Sequence, residues 1–227
     1  LAVRKCTNYT AKNNLVSTGS AQISNFADWR NVIAFVADDG DMNEHFNTAE
    51  ACSEIVADVN PIINLDKIYC DAYVQKSNSG GQRFPEVTTA INDRMNRGAL
   101  FFTYVGHSGK DGWAHERILE YSDIHNWKNA YNQPIIMTLS CDFAWYDRPE
   151  VSPGEACFFN TNGGATGLLT TSRVAYGGSN AMYAKRVFSN MFNRENGRCR
   201  TIGELNRKAK NEAGGNSDAL SMFIVLG

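Results

Sequence analysis

Three features of this 227-residue sequence predict an α/β fold with a mainly parallel central sheet. Six short apolar segments recur along the chain, and most are near-continuous rather than alternating, as in strands covered on both faces. Helical patterns separate them. The loops between are rich in Gly, Ser and Asn. Strand and helix in alternation build a parallel sheet with helices on both faces.

Each element follows from its residues. Leu1–Lys12 reads as a helix, followed by a loop at Ser17–Ser20. Val32–Ala37 is the first strand. Thr48–Asp58 carries Ala51, Ile55 and Val56 on one helical face. Lys67–Tyr73 is the second strand, and Ser77–Gln82 is a loop. Glu86–Arg97 opens after Pro85, a residue suited to the first helical turn, and stacks Val87, Ile91 and Met95 every four residues. Ala99–Val105 and Ile135–Ser140 are the third and fourth strands. Asn160–Gly164 is a loop before the fifth strand, Ala165–Thr171. After Gly177–Asn180, the helix Asn180–Asn193 places Ala184, Val187, Phe188 and Met191 together. Thr201–Asn211 is a more polar helix, Gly214–Ser217 a loop, and Met222–Leu226 the sixth strand.

No repeat or long low-complexity linker interrupts the chain, so residues 1–227 read as one domain. The chain starts inside a helix and stops just after a strand, so a piece of a longer protein is expected. Net charge is −2 with both signs balanced, which gives no support to a nucleic-acid partner. No run of 18 apolar residues marks a membrane helix. Cys6, Cys52, Cys70, Cys141, Cys157 and Cys199 include no C-x-x-C pair. That argues against a structural zinc site and a dense disulfide framework. Free thiols are the default, with one or two disulfides left open, and no metal-ligating residues are read from spacing.

Ligand sites in open parallel sheets gather at the carboxyl ends of strands. The first strand ends in Asp38-Asp39-Gly40-Asp41, the third in Gly106-His107-Ser108-Gly109, the fourth in Ser140-Cys141-Asp142 and the fifth in Thr171-Ser172-Arg173. A carboxylate, an imidazole and a thiol thus emerge on one rim. If the third and fourth strands are neighbours, His107 and Cys141 face each other across ~5 Å. An imidazole beside a thiol generates the nucleophilic thiolate and later protonates a leaving amine. The amides of Ser108 and Cys141 are candidates for an oxyanion hole. Taken singly, Cys141 reads as a small buried hydrophobe, His107 as a loop residue bonded to backbone, and Asp38–Asp41 as a solvated turn. Their joint placement favours chemistry. His45, His115 and His125 lack such placement and read as surface or satisfied residues. An EF-hand calcium loop does not match the acidic run. The Gly163-Gly164 and Gly177-Gly178 pairs do not match a phosphate loop.

The segments "WRNVIAFVADDGDMNEH", "GALFFTYVGHSGKDGWAHERIL", "PIIMTLSCDFAWYDRPEVSPGEACFF" and "GGATGLLTTSRVAYGGSNAMY", with "NLDKIYCDAY" and "MFIVLG", resemble the gingipain-type cysteine peptidases. The resemblance covers nearly the whole chain in order. Within that family it is nearest to the sortase-like peptidases of type IX secretion in Bacteroidetes.

The resemblance implies a caspase-like three-layer αβα sandwich, with an earlier α/β half preceding this part. It implies His107 as catalytic histidine, Cys141 as nucleophile and Asp38 as assisting acid, with Asp39 the alternative. Asp39, Asp142 and Thr103 are candidates for the substrate pocket, where the carboxylates would favour a basic residue. No cofactor is required, and a structural calcium is compatible with the family. Expected partners are protein substrates bearing C-terminal sorting domains, lipopolysaccharide as acyl acceptor, and secretion-system components. The expected location is the cell surface. A secreted endopeptidase and a non-catalytic scaffold module are the alternatives. One departure stands out: the family carries Gly directly after the histidine, and here the residue is Ser108. A Cβ there narrows the pocket or, at positive φ, costs about 1 kcal/mol or more. Glu116 and Arg117 read as a structural ion pair.

Overall fold

The six apolar segments pair into one sheet, in the order their burial demands. The computed structural model describes residues 1–10, 15–18, 21–24, 26–214 and 217–227. The expected end of the first helix at 11–12, and parts of the loops expected at 17–20 and 214–217, lie outside the described residues.

In chain order the strands begin with two short ones, β1 (Leu15–Thr18) and β2 (Ala21–Ser24), then β3 (Val32–Ala37) and β4 (Asn64–Tyr69). A small hairpin, β5 (Lys76–Asn78) and β6 (Gly81–Arg83), precedes β7 (Phe101–Val105). Next come the short strands β8 (Ser108–Gly109), β9 (Gly112–Trp113) and β10 (Leu119–Glu120), then β11 (Ile135–Leu139) and β12 (Gly167–Thr171). A last hairpin, β13 (Arg194–Glu195) and β14 (Arg198–Cys199), precedes β15 (Phe223–Leu226). The main sheet runs β15-β12-β11-β7-β3-β4. All its pairs are parallel except β15 on β12.

The inner strands β7, β11 and β12 are buried at every position, and β3 at all but its first residue. That explains their unbroken apolar runs: both faces are covered. The strand expected at Lys67–Tyr73 instead starts at Asn64 and yields to a 3-10 turn at Cys70–Ala72. As an edge strand it is only partly covered, so Asn64 and Asp66 fit where an apolar pattern would not place them. Asp66 accepts from Arg94 at 2.5 Å.

The helices are α1 (Ala2–Thr10), α2 (Glu44–Val59), α3 (Pro85–Arg97), α4 (Tyr121–Asn126), α5 (Pro153–Phe159), α6 (Gly177–Asn190), α7 (Ile202–Ala213) and α8 (Ser217–Ser221). One face of the sheet packs Phe35, Met137 and Leu169 against Val56 of α2, Val187 and Phe188 of α6, and Leu205 of α7. The other packs Phe102, Tyr104 and Ile136 against Val87, Ile91 and Met95 of α3, Ile124 of α4 and Cys157 of α5. The result is the expected three-layer αβα sandwich, each buried large side chain worth about 1.5–3 kcal/mol. Two short helices, α4 and α5, are too brief to show a period in sequence. Capping boxes define their starts, Glu120 with Asp123 and Ser152 with Glu155, and Pro153 sits at the first position of α5. No described helix is long and apolar enough to cross a membrane.

The six cysteines are all free: Cys52, Cys70 and Cys157 are buried, Cys6 and Cys199 exposed, and Cys141 half-buried. The disulfides left open by the sequence do not form.

The first helix docks through a buried amine. Lys5 Nζ donates to the carbonyls of Gly163 and Ala165 at 2.7 and 3.3 Å. Burial lowers its pKa from 10.5 to about 8. Between these values the unfolded chain holds more protons than the folded one, so stability rises with pH across that window. The penalty is complete below the folded value and disappears above the unfolded one. Thermal melts of the wild type and Lys5→Met from pH 7 to 10.5 should show the wild type gaining on the variant as pH rises. Parallel curves would mean that folding does not desolvate the amine.

Candidate active site

Sheet register decides what meets on the rim. Leu139 of β11 pairs with Val105 of β7, and Val105 pairs with Ala37 of β3. His107 and Cys141 therefore each stand two residues beyond a matched pair on adjacent parallel strands, and Asp38 stands one beyond. Two bonds tie the exits together: Gly106 N–H donates to the Leu139 carbonyl at 3.3 Å, and the Ser108 hydroxyl donates to the Cys141 carbonyl. The sulfur of Cys141 lies 3.5 Å from both the N–H and the carbonyl oxygen of Ala175, in the loop after β12.

Gly106 is required by close packing. A Cβ there would lie 2.3 Å from the Tyr104 hydroxyl and 2.5 Å from Asp38 Oδ2. Ser108 takes no positive φ, since the positive-φ residues near it are Gly106, Gly112 and Ala114. The strain that serine would bring after the histidine is thus absent, and its hydroxyl instead clamps the cysteine strand. Ser108 faces Trp113 across β8 and β9, while Ala114 N–H donates to the His107 carbonyl. That makes Ser108–Trp113 a non-hydrogen-bonded pair, so the ladder leaves the Ser108 N–H unused. Trp113 anchors this hairpin, stacking on Tyr104 at 4.3 Å between ring centroids and packing on Phe143. A cleft of about 360 Å³ opens above it, lined by His107 through His115, Arg117 and Leu119.

The acid expected at Asp38 sits elsewhere than expected. Asp38 is 2% exposed, and it meets the histidine at its backbone N–H. Its carboxylate accepts from His107 N–H at 2.7 Å, Gly40 N–H at 3.2 Å and the His45 ring. The Tyr104 hydroxyl lies 3.2 Å from it and 2.6 Å from the His107 carbonyl, sharing one proton between two acceptors. Burial pushes the Asp38 carboxyl up, but the hydrogen bond and charge of His45 and the two backbone N–H groups outweigh it, and its pKa is lowered. His45 is shifted up by the same partner despite its own burial. Burial and the Asp38 charge hold Tyr104 neutral. The carboxylate against the His107 ring is Asp41, 3.4 Å from Nε2.

The other expected residues divide. Asp142 has a left-handed φ of 54°, and its N–H donates to the Arg173 carbonyl at 3.3 Å. With Trp145 and Arg148 it lines a second cavity of about 310 Å³. Asp39 is exposed and lines neither cavity. Thr103 is fully buried inside β7, so a substrate cannot reach it. Arg117 pairs with Glu120 rather than with Glu116.

Three further residues belong to the site. His45 is satisfied, as expected, but its ring meets the His107 ring edge-on at 5.0 Å. His115 stacks on His107 at 5.1 Å. Asp41 reads in sequence only as the end of an acidic run. The signal available was spacing: a 3-10 turn at Asp41–Asn43 leads into α2, which brings His45 back beneath Asp41.

Comparison with known proteins gives the family and the fold. The profile of Peptidase family C25 matches residues 2–227. Gingipain R (RgpB), an Arg-specific cysteine proteinase, superposes over 100% of this chain with a TM-score of 0.77 at 12% identity. The complex of Porphyromonas gingivalis RgpB pro- and mature domains gives 0.74 at 12% identity over the same share. A structure described only as a protease gives 0.73 at 13% identity. At such identities the likeness shows a shared fold. The chain spans about half of each of these structures, 50–51%. No curated protein matches the sequence. On the family match over nearly its whole length, the chain belongs to Peptidase family C25, the gingipain family of cysteine-type peptidases.

Proposed function

We propose that this chain is the catalytic part of a cysteine endopeptidase acting through an acyl-enzyme on Cys141. One observation carries the reading: His107 and Cys141 leave paired parallel strands at the same offset, clamped by the Ser108–Cys141 bond. The imidazole takes the thiol proton, and the thiolate attacks the scissile carbonyl carbon. The N–H groups of Ser108 and Cys141 receive the oxyanion. As the tetrahedral adduct collapses, the C–N bond breaks and the imidazolium protonates the leaving amine. Water or an amine then attacks the thioester, giving a carboxylate or a new amide and restoring the thiol. His107 relays every proton, from the thiol to the leaving amine and then from the attacking water or amine back to the thiolate, so these steps balance without a cofactor.

Asp41 is the carboxylate that steadies the His107 ring, and Asp38 holds the histidine's backbone in place. Asp142 is one of the carboxylates lining the second cavity, with Asp111 and Glu150, and Asp39 stands outside it.

The finer assignment rests on the "ADDGD", "ERIL" and "SPGE" segments, which resemble PorU, the sortase of type IX secretion. On that reading the substrates carry C-terminal sorting domains, and the acyl group passes to an amine of lipopolysaccharide. Secretion-system components would be its neighbours at the surface of a Bacteroidetes cell.

A peptidyl acyloxymethyl ketone, followed by peptide mapping, tests the assignment. Cys141 should be labelled first and alone, and His107→Ala should slow labelling at least about 10²-fold, the usual worth of a positioned acid–base group. Even labelling of Cys141 and of the exposed Cys6 and Cys199 would indicate a non-catalytic module. With a substrate carrying a sorting domain, an amide-linked product would support transfer and a free acid would support hydrolysis.

A further inference from the structure

A group of side chains beside the dyad has no role in the steps above as a set. Asp41, His45 and His107 come from three places: the turn after β3, the first turn of α2 and the exit of β7. Together they offer ligand atoms that all lie within 4.8 Å of one another. His45 Nε2 is 3.5 Å from Asp41 Oδ2, and His107 Nε2 is 3.4 Å from Asp41 Oδ1. Ligands at zinc distances of about 2.0–2.2 Å in a tetrahedron stand about 3.4 Å apart. Each of these two separations, one to each Asp41 oxygen, is already that of a coordination edge.

A second observation concerns the shell behind these atoms. His45 Nδ1 is bonded to the buried Asp38 carboxylate. A histidine that ligates a metal almost always gives its other ring N–H to a carboxylate, a backbone carbonyl or a water, which sets the tautomer and the ring plane. Here that bond puts the free lone pair on Nε2, facing Asp41. The His45 and His107 rings stand at 88° to each other with centroids 5.0 Å apart. Gly40 makes room for the arrangement, since a Cβ there would lie 3.2–3.3 Å from the His107 ring. Asp41 is exposed, which leaves an entry path from solvent.

We propose that Asp41, His45 and His107 form a binding site for one zinc ion, and that its occupation switches the peptidase off. Two imidazole nitrogens and one carboxylate suit a borderline-soft cation, and calcium prefers oxygen ligands. The fourth position falls to a water, which the exposed Asp41 side admits. An imidazole with Nε2 on a cation carries its one proton on Nδ1. It then has no lone pair with which to accept the thiol proton, so the dyad is disarmed without any covalent change.

The inhibitory half of this rests on the peptidase reading; the site itself does not. Two measurements on the full-length protein separate them. Zinc binding is followed by calorimetry in a Cys6→Ser/Cys199→Ser/Cys141→Ala background, which removes the accessible thiols and all turnover. One zinc should bind, and His45→Gln and Asp41→Asn should each weaken it tenfold or more. Asp41 is exposed, so its variant serves even if His45→Gln folds poorly. In parallel, zinc is titrated into the active enzyme, each variant being compared with its own zinc-free rate. Half-inhibition should move to tenfold higher zinc in both variants. Zinc affinity equal in wild type and both variants would overturn the site. Turnover unaffected by saturating zinc would overturn the switch. Zinc binding that depends on His45, in a protein that cleaves no peptide, would uphold the site and refute the peptidase assignment instead.

Discussion

Cys141→Ala should reduce kcat/KM for any cleaved peptide by roughly 10⁴-fold or more while leaving the fold intact. Each tenfold loss corresponds to 1.36 kcal/mol of transition-state stabilisation, so the expected deficit is about 5 kcal/mol or more. The loss is large because alanine offers no atom to form the thioester, and His107 has no second thiol within reach on the rim. The other cysteines cannot substitute. Cys52, Cys70 and Cys157 are buried, and burial pushes all three thiols up, Cys52 to about 12. Cys6 lies in α1 and Cys199 in the β13–β14 hairpin, and neither follows a strand of the main sheet. Stability should hardly change. Cys141 is half-buried, and its sulfur makes only two contacts of 3.5 Å to the Ala175 backbone. The measurement is steady-state cleavage of a peptide pool by mass spectrometry, beside a urea melt. Turnover surviving in a folded Cys141→Ala protein would move the nucleophile elsewhere.

Asp38→Ala should cost both stability and activity. The carboxylate is buried and serves the backbone N–H groups of His107 and Gly40, the His45 ring and the Tyr104 hydroxyl. Removing one partner of a buried charged pair typically costs about 3–5 kcal/mol, because the remaining donors lose their acceptor and regain no water. For a chain of this length that is a fall in Tm of about 10 °C, at 2–4 °C per kcal/mol. Asp38→Asn should recover little, since its amide would point an N–H at groups that are donors themselves. Labelling of Cys141 should also slow, because His107 loses its backbone anchor. An unchanged melt in both variants would show that the carboxylate is not the acceptor these groups share.

Much of this was legible in the residues. Unbroken runs such as Val32–Ala37 and Phe101–Val105 mark inner parallel strands, because a strand covered on both faces has no polar side to show. Val87, Ile91 and Met95 mark α3 for the same reason at helical period. The edge was less legible: β4 begins at Asn64 because a partly covered strand accepts polar residues. Helices α4 and α5 escaped because six or seven residues are too few to display a period, and only their capping boxes betray them.

The site divided along a similar line. Local sequence determined that an imidazole, a thiol and a carboxylate would each end a strand, since strand ends are set by where apolar runs stop. Which of them touch was decided by strand order and register, which depend on contacts between residues far apart in the chain. Register set the strand exits of His107 and Cys141 side by side, and Asp38 took the histidine's backbone N–H. The left-handed turn at Asp41–Asn43 then brought Asp41 to the ring and His45 to Asp38. Spacing alone could not separate Asp38 from Asp41, because three residues of chain can bend either way until a packed neighbour fixes the direction.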